Sequence, residues 1–129
     1  MDLSKLTQVT RYEITDNGFI FYDENGNVPD PSNAYWDGAL NLYTYKGKSL
    51  KGLPSIVHGS LWLDGYQGKS LKGLPSVVSG YLHLNNYKGN DFNNLSKEYR
   101  HIFIKGKWYK KSEFDDMRKT EKLKEALLD

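Results

Sequence analysis

The chain has no cysteine among its 129 residues. That excludes disulfides, thiolate nucleophiles and cysteine-ligated zinc together, and it suits a reducing compartment, so a cytoplasmic protein is expected. No stretch approaches the ~20 apolar residues of a membrane span. The opening MDLSKLTQVTRYEI lacks a basic region followed by an apolar run, so neither a signal peptide nor a membrane partner is expected. Arginine is scarce, confined to Arg11, Arg100 and Arg118.

Recognisable chemistry is also missing. His58, His83 and His101 have neither the i,i+4 nor the short-loop spacing of a metal site, and no carboxylate pair flanks them in sequence. Asp23-Glu24-Asn25-Gly26-Asn27 has its glycine in the wrong position for a calcium loop and no Glu at the twelfth, so it reads as a turn. Gly-Lys-Ser at residues 47–49 and 68–70 lacks the first glycine of a phosphate loop. No GxSxG elbow occurs. The expectation is a protein with no catalytic residue, no metal and no cofactor. An enzyme would need an unrecognised site in the acidic N-terminal segment.

The rest of the composition is that of a folded domain, with 26% charged and 38% hydrophobic residues. Glycine (12) and tyrosine (10) are plentiful. The net charge of +2 conceals an asymmetry. Residues 1–37 hold two basic and seven acidic side chains, a balance of −5, whereas residues 38–129 hold sixteen and nine, a balance of +7. Such an uneven field can steer a charged partner.

What dominates is a repeat. GALNLYTYKGKSLKGLPSIV from Gly38, GSLWLDGYQGKSLKGLPSVV from Gly59 and GYLHLNNYKGNDFNNLSKEY from Gly80 align at a period of 21 without gaps. Leu40, Leu61 and Leu82 coincide, as do Leu42, Leu63 and Leu84; Tyr45, Tyr66 and Tyr87; and Gly47, Gly68 and Gly89. Leu50, Leu71 and Phe92 coincide too, followed by Leu53, Leu74 and Leu95. The Leu-x-Leu alternation predicts a strand with one buried face. Lys-Gly-Leu-Pro then predicts a turn before a short helical or extended return. One such unit cannot bury its leucines alone, but stacked units can, with a continuous apolar interior under a parallel sheet.

The string Ser-Leu-x-Gly-Leu-Pro-x-x-Val-x-Gly-x-Leu-x-Leu, at residues 49–63 and 70–84, resembles the short leucine-rich repeats of bacterial and bacteriophage proteins. The resemblance covers about half the chain and implies a non-enzymatic, protein-binding scaffold. It further implies a phage-encoded inhibitor of a bacterial defence (anti-CRISPR-like) or host regulatory protein, acting in the host cytoplasm. The chain departs from the pattern where an asparagine usually follows Leu-x-Leu, since Tyr45, Tyr66 and Tyr87 stand there. A tyrosine ladder is expected in place of a buried asparagine ladder.

The expected fold is therefore mainly β, a short leucine-rich-repeat-type solenoid with a parallel sheet, a C-terminal helix and a cap at each end, in a single domain. Residues 1–36 are the N-terminal cap and loop, with a hairpin or meander built from RYEIT (11–15) and FIFYD (19–23) around Asp16-Asn17-Gly18. Residues 37–99 are the three repeats. Residues 100–129 begin with HIFI (101–104), in the place of a fourth Leu-x-Leu but slipped by one. They continue through Lys105-Gly106 into KWYK (107–110), and then a helix capped by Ser112, running to about residue 128, with an Asp115–Lys119 pair. Phe114 and Met117 share a face of that helix, while Leu123, Ala126 and Leu127 lie nearly opposite. Either the helix bends near Thr120 or its end contacts another chain, a route to a homodimer.

Positions that drift between units while alternating with the leucines should form the exposed sheet face. They are Ala39, Ser60 and Tyr81; Asn41, Trp62 and His83; and Tyr43, Asp64 and Asn85. Tyr43, Trp62, Asp64, Tyr81, His83 and Asn85 are the candidate protein-binding residues, with Trp62 central because buried aromatics dominate interface energetics. A competing expectation has the chain's own N-terminal segment, including Tyr35 and Trp36, covering this face. The alternative function is nucleic-acid binding through the lysines of the turns, Lys46, Lys48, Lys51, Lys69, Lys72 and Lys88, joined by Lys105, Lys107, Lys110 and Lys111. Those lysines could equally serve solubility and keep strand edges from pairing.

Overall fold

The structure, a computed structural model, describes residues 5–119. In chain order its strands are β1 (Thr7–Val9), β2 (Arg11–Thr15), β3 (Gly18–Tyr22), β4 (Ala34–Asp37), β5 (Leu40–Asn41) and β6 (Ile56–His58). They continue as β7 (Leu61–Trp62), β8 (Val77–Val78), β9 (Tyr81–His83), β10 (His101–Ile104) and β11 (Lys107–Lys110), before helix α1 (Lys111–Arg118). The 21-residue period is the length of one coil of a β-solenoid of about 3 turns.

Each coil carries two strands that meet at a corner, so two parallel sheets stack side by side. One sheet runs β1-β4-β6-β8 and the other β5-β7-β9-β10, closed by the antiparallel β11. The repeat alignment is the strand register, with Leu40 beside Leu61 and Leu61 beside Leu82. β10 is indeed slipped by one, since Ile102 rather than Phe103 sits beside Leu82. The slip keeps the inward alternation, and Ile102 and Ile104 are fully buried above the leucines.

The sheet of β4, β6 and β8 answers the open question about the return after Lys-Gly-Leu-Pro, which is extended. Val57 and Val78 face inward there and are fully buried. Short β-branched runs suit such a strand.

The tyrosine ladder is present. Tyr45, Tyr66 and Tyr87 are buried, and each donates its hydroxyl to a carbonyl four residues on: Ser49 (2.6 Å), Ser70 (2.5 Å) and Asp91 (2.7 Å). Tyr66 and Tyr87 also reach back one coil, to the carbonyls of Lys48 (3.4 Å) and Lys69 (3.1 Å). Their rings stack 6.2 Å apart, tilted by only 7°. Burial pushes the Tyr87 hydroxyl up to about 12, aided by the Asp91 charge, so it stays a donor at any ordinary pH. The glycine two residues after each tyrosine leaves room for that hydroxyl.

Both ends are closed, in ways that differ in detail from expectation. The β2–β3 hairpin forms, with Thr15 paired to Gly18, but no meander does: the preceding β1 pairs parallel to β4 and starts the first sheet. Phe19 and Phe21 lie under the first coil, with Phe19 4.5 Å from the Tyr45 ring. At the other end Phe114 is fully buried against Phe92 (5.4 Å) and Tyr109 (5.5 Å). The helix starts one residue before Ser112, and the cap is a different one. Lys110 occupies the N-cap position, and its N–H donates to the Glu113 carboxylate at 3.0 Å. Asp115 pairs with Lys111 (2.8 Å) and Arg118 (3.8 Å) rather than with Lys119, and it also accepts from the buried Tyr99 hydroxyl (3.2 Å). The expected extension to residue 128, and the homodimer contact through Leu123, Ala126 and Leu127, lie outside the described residues. Among the described residues no helix is long and apolar enough to cross a membrane.

Candidate functional site

The outward face of the second sheet is aromatic. Trp62 and His83, neighbours in register, stack at 4.9 Å with rings 16° from parallel. β10 continues the column: Phe103 lies beside His83, and the β11 hairpin brings Trp108 opposite Phe103, stacked at 4.6 Å. The Trp108 ring meets the edges of His83 (5.1 Å) and Tyr81 (5.6 Å), and Tyr81 meets His101 (5.1 Å). Tyr43 is 60%, Trp108 50% and Tyr81 42% exposed; the other two large apolar side chains exposed to that degree among the described residues, Ile14 and Val28, belong to the N-terminal region. Exposed large apolar groups thus concentrate on this sheet and its margin.

The described part of the N-terminal segment, Tyr35 and Trp36 included, packs elsewhere than on this face. Tyr35 packs on His58 (5.7 Å) in the first sheet, and Trp36 turns to Tyr12 and Phe21 (5.8 Å each). Its indole N–H is used by the Ala39 carbonyl, 3.1 Å away.

The six candidate residues do not form one surface. Tyr81, Trp62 and His83 come together, but His83 is only 8% exposed, roofed by its aromatic neighbours, which corrects its expected place on an open column. Tyr43 lies beyond the end of β5, its N–H held by the Asn41 side chain (3.0 Å). Asp64 and Asn85 are struts between coils. Asp64 Oδ1 accepts the Asn85 N–H (3.0 Å), and Asn85 Oδ1 accepts the Gly106 N–H (2.5 Å). Ser60 does the same for Tyr81 (3.0 Å). Their columns also hold Tyr43, Ala39 and Tyr81, so residue type along a column does not mark the struts; only the cross-coil hydrogen bonds do. Phe103 and Trp108 were missed. Pairing HIFI with KWYK across Lys105-Gly106 would have placed Trp108 opposite Phe103.

Protein-family models, curated proteins and solved structures give no match to this chain. Its own geometry therefore carries the functional reading.

His83 Nε2 and His101 Nδ1 are buried without a hydrogen-bond partner. Burial lowers the His83 pKa below its ordinary 6.5, with nearby Asp64 opposing. A depressed folded-state pKa means that the unfolded chain binds the proton first. Stability should therefore be full above pH ~6.5 and fall as pH drops below it toward the folded-state value. Thermal melts between pH 7 and pH 5 should show a loss in wild type that is smaller in His83→Phe, which keeps the ring stack. Parallel curves would clear the imidazole of that role. No group of three or more His, Asp or Glu side chains suited to a metal occurs among the described residues.

The lysines of the turns lie on another side of the coil. Lys46, Lys48, Lys51, Lys69, Lys72 and Lys88 are all exposed. All but Lys46 line two shallow recesses, of about 630 Å³ between the first and second coils and about 660 Å³ between the second and third.

Proposed function

We propose that this protein is a protein-binding scaffold that docks its partner through the aromatic face of the second sheet, centred on Trp62, Tyr81 and Trp108. The observation that carries the reading is the contiguous aromatic cluster running from Trp62 through His83 to Phe103, Trp108 and Tyr81, exposed at Tyr81 and Trp108. Aromatics of this size supply large rigid contact area and are enriched among residues that dominate binding energy. The regular hydrogen-bonded coils beneath hold the rings in place, which limits the ordering cost of association.

The short-repeat resemblance at residues 49–63 and 70–84 directs the search for the partner. A bacterial defence or regulatory protein is the one we would test first.

The test uses tagged full-length protein in bacterial lysate, with bound proteins identified by mass spectrometry. Trp108→Ala should keep a wild-type circular dichroism spectrum and lower affinity for the captured partner at least ~30-fold, the size expected of a ≥2 kcal/mol hot spot. Tyr81→Ala should weaken binding less. A partner held equally well by both variants would sink the sheet-face reading.

A further inference from the structure

The turns between the two sheets form a second surface of different chemistry. Residues 47–55 and 68–76 share the sequence Gly-Lys-Ser-Leu-Lys-Gly-Leu-Pro-Ser, so Lys48 stands below Lys69 and Lys51 below Lys72. Coils repeat at roughly 4.8 Å, the spacing of hydrogen-bonded strands. The first recess is lined by Lys48, Lys51 and Lys72 with Ser49 and Ser70 and, among the described residues, by no carboxylate. Pro31 touches the recess, but the neighbouring Asp30 carboxylate is turned into the Ser32 N–H (2.9 Å) and hydroxyl (2.8 Å).

Three like charges are gathered here, and among the described residues no carboxylate lines the recess with them. Both ion pairs found among the described residues involve Asp115, at the far end of the molecule. Nor are the lysine-bearing backbones loose. Tyr66 donates to the Lys48 and Ser70 carbonyls, Tyr45 to the Ser49 carbonyl and Tyr87 to the Lys69 carbonyl. The Ser49 and Ser70 hydroxyls accept the Lys51 (3.2 Å) and Lys72 (3.1 Å) N–H groups, which fixes the turn between the two lysines of each coil. The buried tyrosine ladder thus fixes the backbones that carry an outer comb of lysines. In the third coil the equivalent positions are Asn90, Asp91 and Asn93, and the second recess contains that aspartate. The acid-free part of the comb is confined to the first two coils.

We propose that this recess and the adjoining lysines bind the phosphate backbone of a nucleic acid. Lysines that recur coil by coil around a recess lined by no described carboxylate suit a chain of monoanionic phosphates, and contact with phosphates rather than bases is sequence-independent. This surface is separate from the aromatic face and does not depend on the protein-docking reading.

The experiment is fluorescence anisotropy with labelled single-stranded RNA, single-stranded DNA and duplex DNA against full-length protein, titrated at several salt concentrations. Wild-type affinity should fall on the order of 100-fold between about 50 and 200 mM salt, as expected when about five phosphates of a single strand are neutralised. The variant Lys48→Gln/Lys51→Gln/Lys69→Gln/Lys72→Gln leaves the turn backbones and tyrosine bonds in place. It should retain the wild-type circular dichroism spectrum and lose about three units of the log–log salt slope. Trp108→Ala should bind nucleic acid as wild type does. Inorganic polyphosphate as competitor separates two sources of the same chemistry: displacement at equal phosphate concentration extends the site to any phosphate chain, and failure to displace confines it to nucleic acid. Absence of binding by wild type at about 50 mM salt, or a folded quadruple variant that binds unchanged, overturns the proposal, and loss of binding in Trp108→Ala would move the site to the sheet face.

Discussion

Gly68→Ala is expected to destabilise the protein by about 3 kcal/mol or more, at the upper end of the range for overpacking. A Cβ there would overlap the Tyr66 hydroxyl and sit 2.7 Å from the Lys48 carbonyl. The ring cannot swing aside cheaply. It is buried, stacked on Tyr87, and its hydroxyl serves the Lys48 and Ser70 carbonyls. The substitution therefore imposes a choice between strain in the turn and loss of two hydrogen bonds at the centre of the ladder. Tyr66→Phe alone removes only the hydroxyl and should cost about 1–2 kcal/mol, since the carbonyls lose a buried donor. The double variant should cost less than the sum of the singles, because without the hydroxyl the new methyl meets one obstacle fewer. Urea denaturation followed by far-ultraviolet circular dichroism measures all three. Strict additivity would show that Gly68 is required for some reason other than the tyrosine. If Gly68→Ala does not fold, Tyr66→Phe still tests the ladder.

The second large effect is expected at the C-terminal cap. Phe114 is fully buried against Phe92 and Tyr109 and closes the core where the coils end. Phe114→Ala should cost about 3–5 kcal/mol, combining the lost transfer free energy with a cavity at the top of the solenoid. Stacked coils contact only their neighbours, so the damage should be graded. Hydrogen exchange can read the gradient. The Leu84 N–H, bonded to the Phe103 carbonyl at 2.8 Å, lies at the top, whereas the Leu42 N–H, bonded to the Trp62 carbonyl at 2.9 Å, lies two coils below. Protection at Leu84 should fall more than at Leu42. Equal loss at both would show that the coils unfold as one unit.

How legible the fold was depended on whether a feature was local or repeated. Leu40, Leu61 and Leu82 could be aligned by eye, and the same alignment is their hydrogen-bonded register. Internal repetition converts a three-dimensional question into a one-dimensional one, because every coil meets the same environment. The slip of HIFI was readable for the same reason. The helix cap was not: Ser112 offered the expected side chain, but the helix follows directly on β11, so the N-cap falls two residues earlier, at Lys110, and Glu113 takes the capping role.

The candidate site was only partly legible. Drift between coils selected Trp62, Tyr81 and His83, yet it also selected Asp64 and Asn85, whose side chains bridge coils. Variation shows that a position lies outside the apolar core; it does not show whether the side chain is occupied. His83 disappears beneath Trp108 because a strand 25 residues further on folds back over it, a contact with no period in the sequence.

By itself the sequence determined the coil length, the inward leucines, the tyrosine ladder and the lysines of the turns. Each follows from side-chain periodicity and turn chemistry acting within a single 21-residue unit. The tertiary structure alone decided what the ends do: which sheet β1 joins, where Trp36 turns, how Phe114 closes the core, and that Trp108 completes the aromatic face. Those contacts link segments outside the repeat, where no neighbouring copy constrains the pairing and packing against the finished solenoid selects the arrangement.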